Sequence, residues 1–341
     1  MHILVTGSTG FIGGALCQAL AARGHRVRAF HRPSSSLKLL EGLAVEHAAG
    51  DLTQPDTIRQ AMEGIEVVFH AAAQLNPNGD SGKAYAVTVE GTRAVLAAAQ
   101  EAGVRRVVHT SSVAALGVPD KGPGRPARKS TGTDRGLNGL IDENHTWNYP
   151  PLRWIYGYAK YLAELEVQKA VAGRLDVVIV NPSLVFGPGD VYRMTSSLLV
   201  ASAHNRIPPV SIPGGVNVVA IEDVIAGHLA ALERGRRGER YILGGENICH
   251  ADLLKMVAQI TGVGGPRMAL PAWLAPSLAL GLRLGGAFTK LPLGADELGL
   301  AGLYFYYDTS KARRELGLPG PIPARQALEF AYRWFKEQGA C

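Results

Sequence analysis

The fold is decided near the amino terminus, where the chain reads His2-Ile-Leu-Val-Thr-Gly7, then Ser-Thr-Gly10-Phe-Ile-Gly13, then an apolar-periodic run to Gly24. This pattern predicts a buried strand, a glycine turn and a helix. A helix start has unpaired N–H groups and partial positive charge, and glycines without a β-carbon let a pyrophosphate approach them. A plain tight turn uses the same glycines, but the position directly after a buried strand favours a bound dinucleotide.

Length and composition restrict the class of protein. With 341 residues, 47% hydrophobic and 19% charged, the chain is expected to form one large α/β unit with an appended lobe, or two domains. The net charge of +6 is spread along the chain, and the densest basic run, Lys121 to Arg135, lies among Gly, Pro, Ser and Thr without aromatic residues. A solvated loop explains that run better than a nucleic-acid groove, so we expect no nucleic-acid partner.

The three cysteines, Cys17, Cys249 and Cys341, share no metal-ligand spacing and cannot all be paired in disulfides. We therefore expect no bound metal, and a reducing cytoplasm fits this cysteine usage best. No signal peptide is indicated, because residues 2–7 are already needed as a strand.

The most apolar stretch runs from Leu270 to Tyr307. Its uncharged runs are shorter than the roughly 20 residues that a membrane-spanning helix needs, so no transmembrane segment is expected. Two alternatives stay open, an apolar lid over a substrate pocket and a segment that rests on a membrane surface. The charges that interrupt the stretch are Arg283, Lys290, Asp296 and Glu297.

Short apolar runs alternate with helical patterns in the first half of the chain. Continuous apolar strands between helices predict a parallel sheet buried on both faces, so the expected class is α/β. We expect a doubly wound (Rossmann) sheet with a smaller C-terminal α/β lobe that caps the substrate. The strands are predicted near 2–7, 26–32, 44–50, 66–73, 106–112 and 175–181, and the helices near 11–23, 56–63, 83–102 and 156–172.

The alternation weakens after residue 190, which indicates where the lobe begins. We expect the dinucleotide-binding domain to comprise residues 1–185 and 216–240, and the capping lobe to comprise 186–215 and 241–341. In this division Val216 to Ala220 is a further strand, which leads into a helix at 222–233 and returns the chain to the main sheet.

Residues at the carboxyl ends of parallel strands are the ones that contact a ligand. The second predicted strand ends at His31-Arg32, without the acidic residue that an NAD-selective site places there to hold the ribose 2′-hydroxyl. Arg32, aided by Lys38, can pair with a 2′-phosphate, so NADP(H) is favoured and NAD(H) remains possible. A plain solvated charge is the alternative for Arg32.

The third and fourth predicted strands end at Asp51 and His70. Asp51 is placed either to read an adenine amino group or to cap the next helix. His70 is interpreted as a packed strand histidine rather than a catalyst, and the alanines that follow it would let a cofactor lie against the backbone.

The fifth predicted strand ends at Ser112, and Tyr156 and Lys160 begin the next long helix. Positions i and i+4 share a helical face, so the phenol and the ammonium can act as a unit. A neighbouring ammonium favours the ionised phenol, which makes it a better acid and base near neutral pH. Ser112 is placed to hydrogen-bond the substrate oxygen.

The same Tyr-x-x-x-Lys spacing occurs twice more, at Tyr307/Lys311 and at Tyr332/Lys336. Both copies lie in the C-terminal part, and the second sits in an amphipathic helix whose aromatic residues indicate packing. Only the Tyr156 copy follows the serine-bearing strand and precedes the next buried one.

With these motifs the chain resembles the extended short-chain dehydrogenases/reductases of the NAD-dependent epimerase/dehydratase superfamily. Within them it is most similar to bacterial dihydroflavonol-4-reductase-like members, which are related to 3β-hydroxysteroid dehydrogenases. The resemblance runs essentially end to end, with its motifs in the family's order: Thr6 to Gly13, Gly50-Asp51-Leu52, Thr110-Ser-Ser112, Tyr156-x-x-x-Lys160, Asn181 to Asp190, and Tyr307 to Gly317.

The resemblance implies a role for each matching position. Tyr156 would be the acid/base, Ser112 would polarise the reacting oxygen, and Lys160 would bind the nicotinamide ribose and lower the tyrosine pKa. The other implied cofactor contacts are Gly7, Gly10, Phe11, Ile12 and Gly13 for the pyrophosphate, Asp51 and Leu52 for the adenine, Ala71, Ala72 and Ala73 for the ribose side, and Pro182, Ser183, Leu184 and Val185 for the nicotinamide face.

The leading hypothesis is an NADP(H)-dependent oxidoreductase that reduces a ketone or aldehyde of a small molecule to an alcohol. One alternative is an NAD-dependent nucleotide-sugar epimerase or dehydratase, which returns the hydride to its own substrate. The other is a non-catalytic redox sensor, although a sensor has no need for Ser112, Tyr156 and Lys160 together. The family resemblance also suggests a homodimer, with the helices at 83–102 and 156–172 pairing with their copies.

Overall fold

The computed structural model describes residues 1–74, 81–120, 139–192, 196–206, 210–266, 268–269, 300 and 302–341. Its strands are β1 (His2–Thr6), β2 (Arg26–His31), β3 (Val45–Ala49), β4 (Val67–His70), β5 (Arg106–Thr110), β6 (Val177–Pro182), β7 (Leu184–Phe186), β8 (Val210–Ser211), β9 (Gly215–Ala220), β10 (Arg240–Leu243), β11 (Glu246–Cys249) and β12 (Met268–Ala269). Its helices are α1 (Phe11–Ala22), α2 (Pro55–Met62), α3 (Ser81–Tyr85), α4 (Gly91–Glu101), α5 (Ile155–Ala172), α6 (Ser197–Ala203), α7 (Ile221–Arg234), α8 (His250–Thr261), α9 (Ser310–Leu316) and α10 (Ala324–Glu337). A π-helical turn, Ala86–Glu90, lies between α3 and α4, so the helix predicted at 83–102 is interrupted.

The first half of the chain contributes five strands to the central sheet, and β6 and β10 follow from the second half. Within the described residues this sheet has seven strands in the order β10-β6-β5-β4-β1-β2-β3, and every neighbouring pair is parallel. The order of the strands reverses between β1 and β4, and open parallel sheets bind their ligands beyond the carboxyl ends of the strands at such a reversal. The predicted doubly wound α/β class is therefore confirmed.

The side chains of β4 show how the sheet is covered on both faces. Val67 and Phe69 lie in the core layer that contains Leu16 of α1 and Val224 of α7. Val68, between them, lies in the opposite layer, which packs against α2, α4 and α5. Full burial of such a side chain contributes about 1.5–3 kcal/mol. Both faces are thus apolar, which explains why these strands are unbroken hydrophobic runs in the sequence.

Val216 to Ala220 form a strand as predicted, but the prediction that this strand belongs to the main sheet was wrong. This segment, β9, pairs in parallel with β7 and antiparallel with β11, in a second sheet of three strands among the described residues. Val219 packs into the central core, whereas Val218 and Ala220 pack into the core of the lobe. A strand buried on both sides has the same apolar pattern in either sheet, so the pattern could not distinguish them.

The predicted boundary at residue 240 also needs correction. Strand β10, Arg240–Leu243, pairs in parallel with β6 at the edge of the central sheet, so the boundary cuts through a strand of that sheet. The C-terminal segments build their own core, in which Phe186, Leu199, Leu253 and Leu328 are buried together. The division into two domains otherwise stays a prediction.

Candidate active site

The glycine turn between β1 and α1 is shaped by close backbone contacts. Gly7 has a positive φ of 67°, and a β-carbon there would lie 2.7 Å from the amide nitrogen of Ala72. A β-carbon on Gly13 would lie 2.1 Å from the Gly7 carbonyl oxygen. Gly10 is the N-cap of α1 and has no side chain to satisfy the N–H groups at Phe11 and beyond. This bare helix start fits a pyrophosphate, and contact with one stays a prediction.

The strand ends beside the turn carry charges of both signs. Arg32 and Lys38 are exposed just after β2. The Asp51 carboxylate accepts hydrogen bonds from the Thr53 backbone N–H at 2.9 Å and from its hydroxyl at 2.8 Å. Burial opposes ionisation of Asp51, but these bonds and the charge of Arg32 hold its pKa below the ordinary value. Asp51 thus closes a local turn with Thr53 but does not cap α2, whose N-cap is Gln54, and contact with adenine stays a prediction.

The end of β4 is a packed region. The fully buried His70 ring contacts the hydroxyls of Thr6 at 2.7 Å and Thr92 at 3.0 Å. Burial, followed by the charge of Lys160, lowers the His70 pKa to about 3, so the ring is neutral at physiological pH. The interpretation of His70 as a packed strand histidine agrees with these contacts. Ala71, Ala72 and Ala73 follow it and are half-buried, and Leu52 is buried against Gly91.

The structure brings Ser112, Tyr156 and Lys160 together at the end of β5. The Ser112 hydroxyl accepts a hydrogen bond from the backbone N–H of Ala114 at 3.2 Å and hydrogen-bonds the phenol of Tyr156. Lys160, one helical turn after Tyr156 on α5, is 3% exposed and donates to the Thr110 carbonyl oxygen at 2.9 Å. A strand end and the first turn of a helix therefore hold a hydroxyl, a phenol and an ammonium in one site.

The pKa of Tyr156 is shifted in the opposite direction from the one that the sequence predicted. We expected Lys160 to lower the Tyr156 pKa, but burial raises the pKa, and the hydrogen bond from Ser112 only opposes that rise. The phenol is therefore protonated at neutral pH. Burial also lowers the pKa of Lys160 to about 8, against the opposing charge of Glu164. Removing both groups from water disfavours their charged forms, and this effect exceeds that of their neighbours.

The segment predicted to face the nicotinamide lies at the junction of the two sheets. Pro182 ends β6, and Leu184 and Val185 begin β7. The Ser183 hydroxyl between them donates to the side-chain oxygen of Asn217 at 2.7 Å. Asn217 was not among the predicted residues. The feature that could have identified it is a single amide side chain inside the apolar run Val216-Asn-Val-Val-Ala220.

A second missed set of residues lies behind the site. Glu164 on α5 is 1% exposed, and it contacts Ser111, Asn181 and Arg240 from three different strands or strand ends. The available signal was a glutamate one turn after Lys160, on a face of the helix that also carries alanines.

Aromatic and aliphatic side chains cluster at the start of α5, the helix that carries Tyr156. Trp154, two residues before Tyr156, lies 5.7 Å from the Phe305 ring centroid, and Leu300 and Leu303 pack in the same cluster as Val118. Residues 270–299 and 301 of the predicted lid lie outside the described residues, as do residues 121–138 of the basic loop. The choice between a lid and a membrane-resting segment stays open. No helix in the described part of the chain is long and apolar enough to cross a membrane.

A doubly wound sheet with a glycine turn at its first crossover, and with Ser112, Tyr156 and Lys160 at its strand ends, defines an NAD(P)-dependent oxidoreductase of the extended short-chain type. The chain belongs to the NAD dependent epimerase/dehydratase family, whose model matches residues 3–244.

The individual relatives cover nearly the whole chain. The Synechocystis sp. protein "Putative dihydroflavonol 4-reductase" is 38% identical over 98% of this chain and 94% of its own length. Sterol demethylase protein B of Methylococcus capsulatus is 36% identical over 99% of both chains. The crystal structure of gox2253 has a TM-score of 0.81 and 37% identity, and the match covers 99% of this chain and 98% of that one. The family resemblance is thereby confirmed.

Proposed function

We propose that this protein reduces a ketone or aldehyde with NADPH and that Tyr156 is the proton donor. The observation that carries the proposal is the Tyr156 phenol, which hydrogen-bonds Ser112 and has a raised pKa. A proton donor in reduction must hold its proton at working pH, and this phenol does. The reductase names of relatives such as the Synechocystis protein agree with that direction.

Each residue has one task in this reaction. The bound nicotinamide cofactor supplies the hydride. Ser112 holds the carbonyl oxygen, and Tyr156 gives that oxygen its proton. Lys160, held on the Thr110 carbonyl, would bind the nicotinamide ribose, and Ser112, which hydrogen-bonds the phenol, would stabilise the phenolate left on Tyr156.

The cofactor preference is proposed from the end of β2. That strand ends without a carboxylate, and Arg32 is exposed and close enough to Asp51 to influence its pKa. An exposed guanidinium suits a 2′-phosphate, which it can bind through two parallel hydrogen bonds. In Arg32→Ala we expect KM for NADPH to rise about tenfold and KM for NADH to change little. Equal changes with both cofactors would exclude Arg32 as the phosphate contact.

The substrate is proposed to be less polar than a nucleotide sugar. Trp154, two residues before Tyr156 in the chain, and Phe305 form a half-buried aromatic pair. The two curated relatives carry the names of a flavonoid reductase and of a sterol-modifying protein, and neither name refers to a sugar. An apolar carbonyl compound would pack against these aromatic side chains better than a sugar diphosphate, which would need several polar partners.

The nucleotide-sugar epimerase or dehydratase is the second candidate, because the matching family is named for those activities. The two are separated by incubating the purified protein with NADPH or NADH and a panel of ketones, aldehydes and sugar nucleotides. Net NADPH oxidation with an apolar carbonyl supports the reductase. Stoichiometric NAD released from the purified protein, with turnover of a sugar nucleotide and no net cofactor consumption, would instead support the epimerase.

A further inference from the structure

The carboxylate of Glu164 has no task in the proposed reaction, although it is buried next to the reacting groups. It lies on α5 one turn after Lys160, on the same helical face, and is 1% exposed. A buried carboxylate is costly unless it is paired and hydrogen-bonded. Its contacts therefore indicate what it does there.

Two of these contacts come from adjacent strands of the central sheet. The Ser111 hydroxyl donates to Oε1 of Glu164 at 2.5 Å, and Nδ2 of Asn181 donates to the same oxygen at 2.7 Å. Nδ2 of Asn181 also donates to the backbone carbonyl of Ser112 at 2.9 Å. One carboxylate oxygen thus joins the end of β5 to the end of β6, and the joined peptide is the one that carries Ser112.

The second oxygen of Glu164 faces a cation. Nη2 of Arg240, on the edge strand β10, lies 3.3 Å from Oε2. Glu164 also affects Lys160. Its charge raises the pKa of the lysine, whereas burial lowers that pKa by more. The titratable and charged groups around the Glu164 and Lys160 pair are Tyr156 on α5, His70 on β4, His109 on β5 and Arg240 on β10.

We propose that Glu164 is the positioning residue of this active site: its carboxylate fixes the peptide that carries Ser112 and places a negative charge one helical turn from Lys160. The proposal rests on the proposed function for the reaction that the site performs. Its structural part rests on contacts that do not depend on the substrate.

The test compares Glu164→Gln with Glu166→Gln. Glu166 is on the same helix and is also nearly buried, but it pairs with Arg93 and Lys169 on the side facing α4. In Glu164→Gln we expect kcat for carbonyl reduction to fall on the order of tenfold, KM for NADPH to stay within about twofold, and the alkaline limb of the pH profile to move to lower pH. Glu166→Gln is expected to lose stability without any of these kinetic changes.

A second readout separates this inference from the proposed function. In protein labelled with carbon-13 lysine, the Lys160 signal, assigned by its absence in Lys160→Met, is expected to titrate at lower pH in Glu164→Gln than in the parent protein. An unmoved titration would overturn the inference even if the parent protein is an active reductase. If the parent protein reduces no carbonyl compound, the proposed function fails, and the lysine titration still decides the charge role of Glu164.

Glu164→Asp covers the case in which the glutamine variant does not fold. It keeps a carboxylate opposite Arg240 but is one methylene shorter, so it cannot keep both the Ser111 and the Asn181 contacts. We expect the Lys160 titration to stay in place and kcat to fall. A folded Glu164→Asp variant with full kcat would overturn the positioning role.

Discussion

Two of the three regions that carry the Tyr-x-x-x-Lys spacing show a clear contrast, because only the one at Tyr156 forms the candidate site. Tyr156 and Lys160 both belong to α5, so their side chains lie on one face, and the phenol reaches Ser112. Tyr307 precedes α9, which begins at Ser310, so the spacing to Lys311 does not span a helical turn. Spacing produces a functional pair only where one helix contains both residues.

The neighbours of the two pairs differ as well. Tyr307 is 4% exposed and packs against Leu116, Ile141 and Ile242, and burial raises its pKa well above the ordinary value. The ammonium of Lys311 turns to Glu239 at 2.6 Å and lies 5.0 Å from the centre of the Tyr241 ring. Removal from water thus raises the pKa of the phenol in both regions, although Tyr156 is only half-buried. Contact with a strand-end hydroxyl distinguishes the candidate site at Tyr156.

The largest expected difference between the regions concerns the phenols. In Tyr156→Phe the ring remains but the proton donor is lost, so we expect kcat to fall roughly 10²- to 10⁴-fold, with NADPH affinity nearly unchanged. Tyr307→Phe, the matched control, should keep its packing and its kcat. Steady-state kinetics and NADPH fluorescence titration measure both quantities. Retention of most of the rate in Tyr156→Phe would exclude Tyr156 as the acid.

The lysines give the next largest difference. Lys160→Met removes a buried ammonium beside the phenol, and we expect kcat/KM to fall on the order of 10²-fold. Lys311→Met removes a partly exposed ion pair and a cation–π contact, so it should cost roughly 1 kcal/mol of stability in urea unfolding and leave kcat unchanged. Comparable losses of kcat in both variants would mean that the comparison between the two regions fails.

The sequence predicted well what depends on local pattern. The glycine turn, the strands of the central sheet other than β10, and the closeness of Ser112 to Tyr156 all follow from apolar runs, glycines and helical spacing. Glu164 was missed because its meaning depends on Asn181 and Arg240, which are distant in sequence and meet only in the folded sheet. The sequence also could not show which sheet contains β9, because a strand buried on both sides has the same apolar pattern in the central sheet and in the second sheet.

A smaller effect is expected from pH. Burial lowers the pKa of Lys160 to about 8, so the ammonium is lost as pH rises through that value. We expect kcat/KM for reduction to be level below about pH 8 and to fall about tenfold per pH unit above it. Lys311→Met should keep this alkaline limb unchanged. A profile that stays level well above pH 8 would contradict the assignment of the limb to Lys160.

The smallest effect is expected from the third copy of the spacing, Tyr332 and Lys336, which sharpens the comparison because it does lie within one helix, α10. Its ammonium is exposed and lies 5.9 Å from the centre of the Tyr332 ring, at the limit of a cation–π contact. The ring itself packs against the core of the lobe. In Lys336→Met we therefore expect unfolding stability within about 0.5 kcal/mol of the parent and unchanged kcat, since exposed substitutions away from special contacts rarely do more. A loss of kcat in this variant would show that a helical Tyr-x-x-x-Lys pair can support the reaction from outside the central sheet. The strand-end serine, Ser112, would then no longer be the feature that separates the catalytic pair from the others.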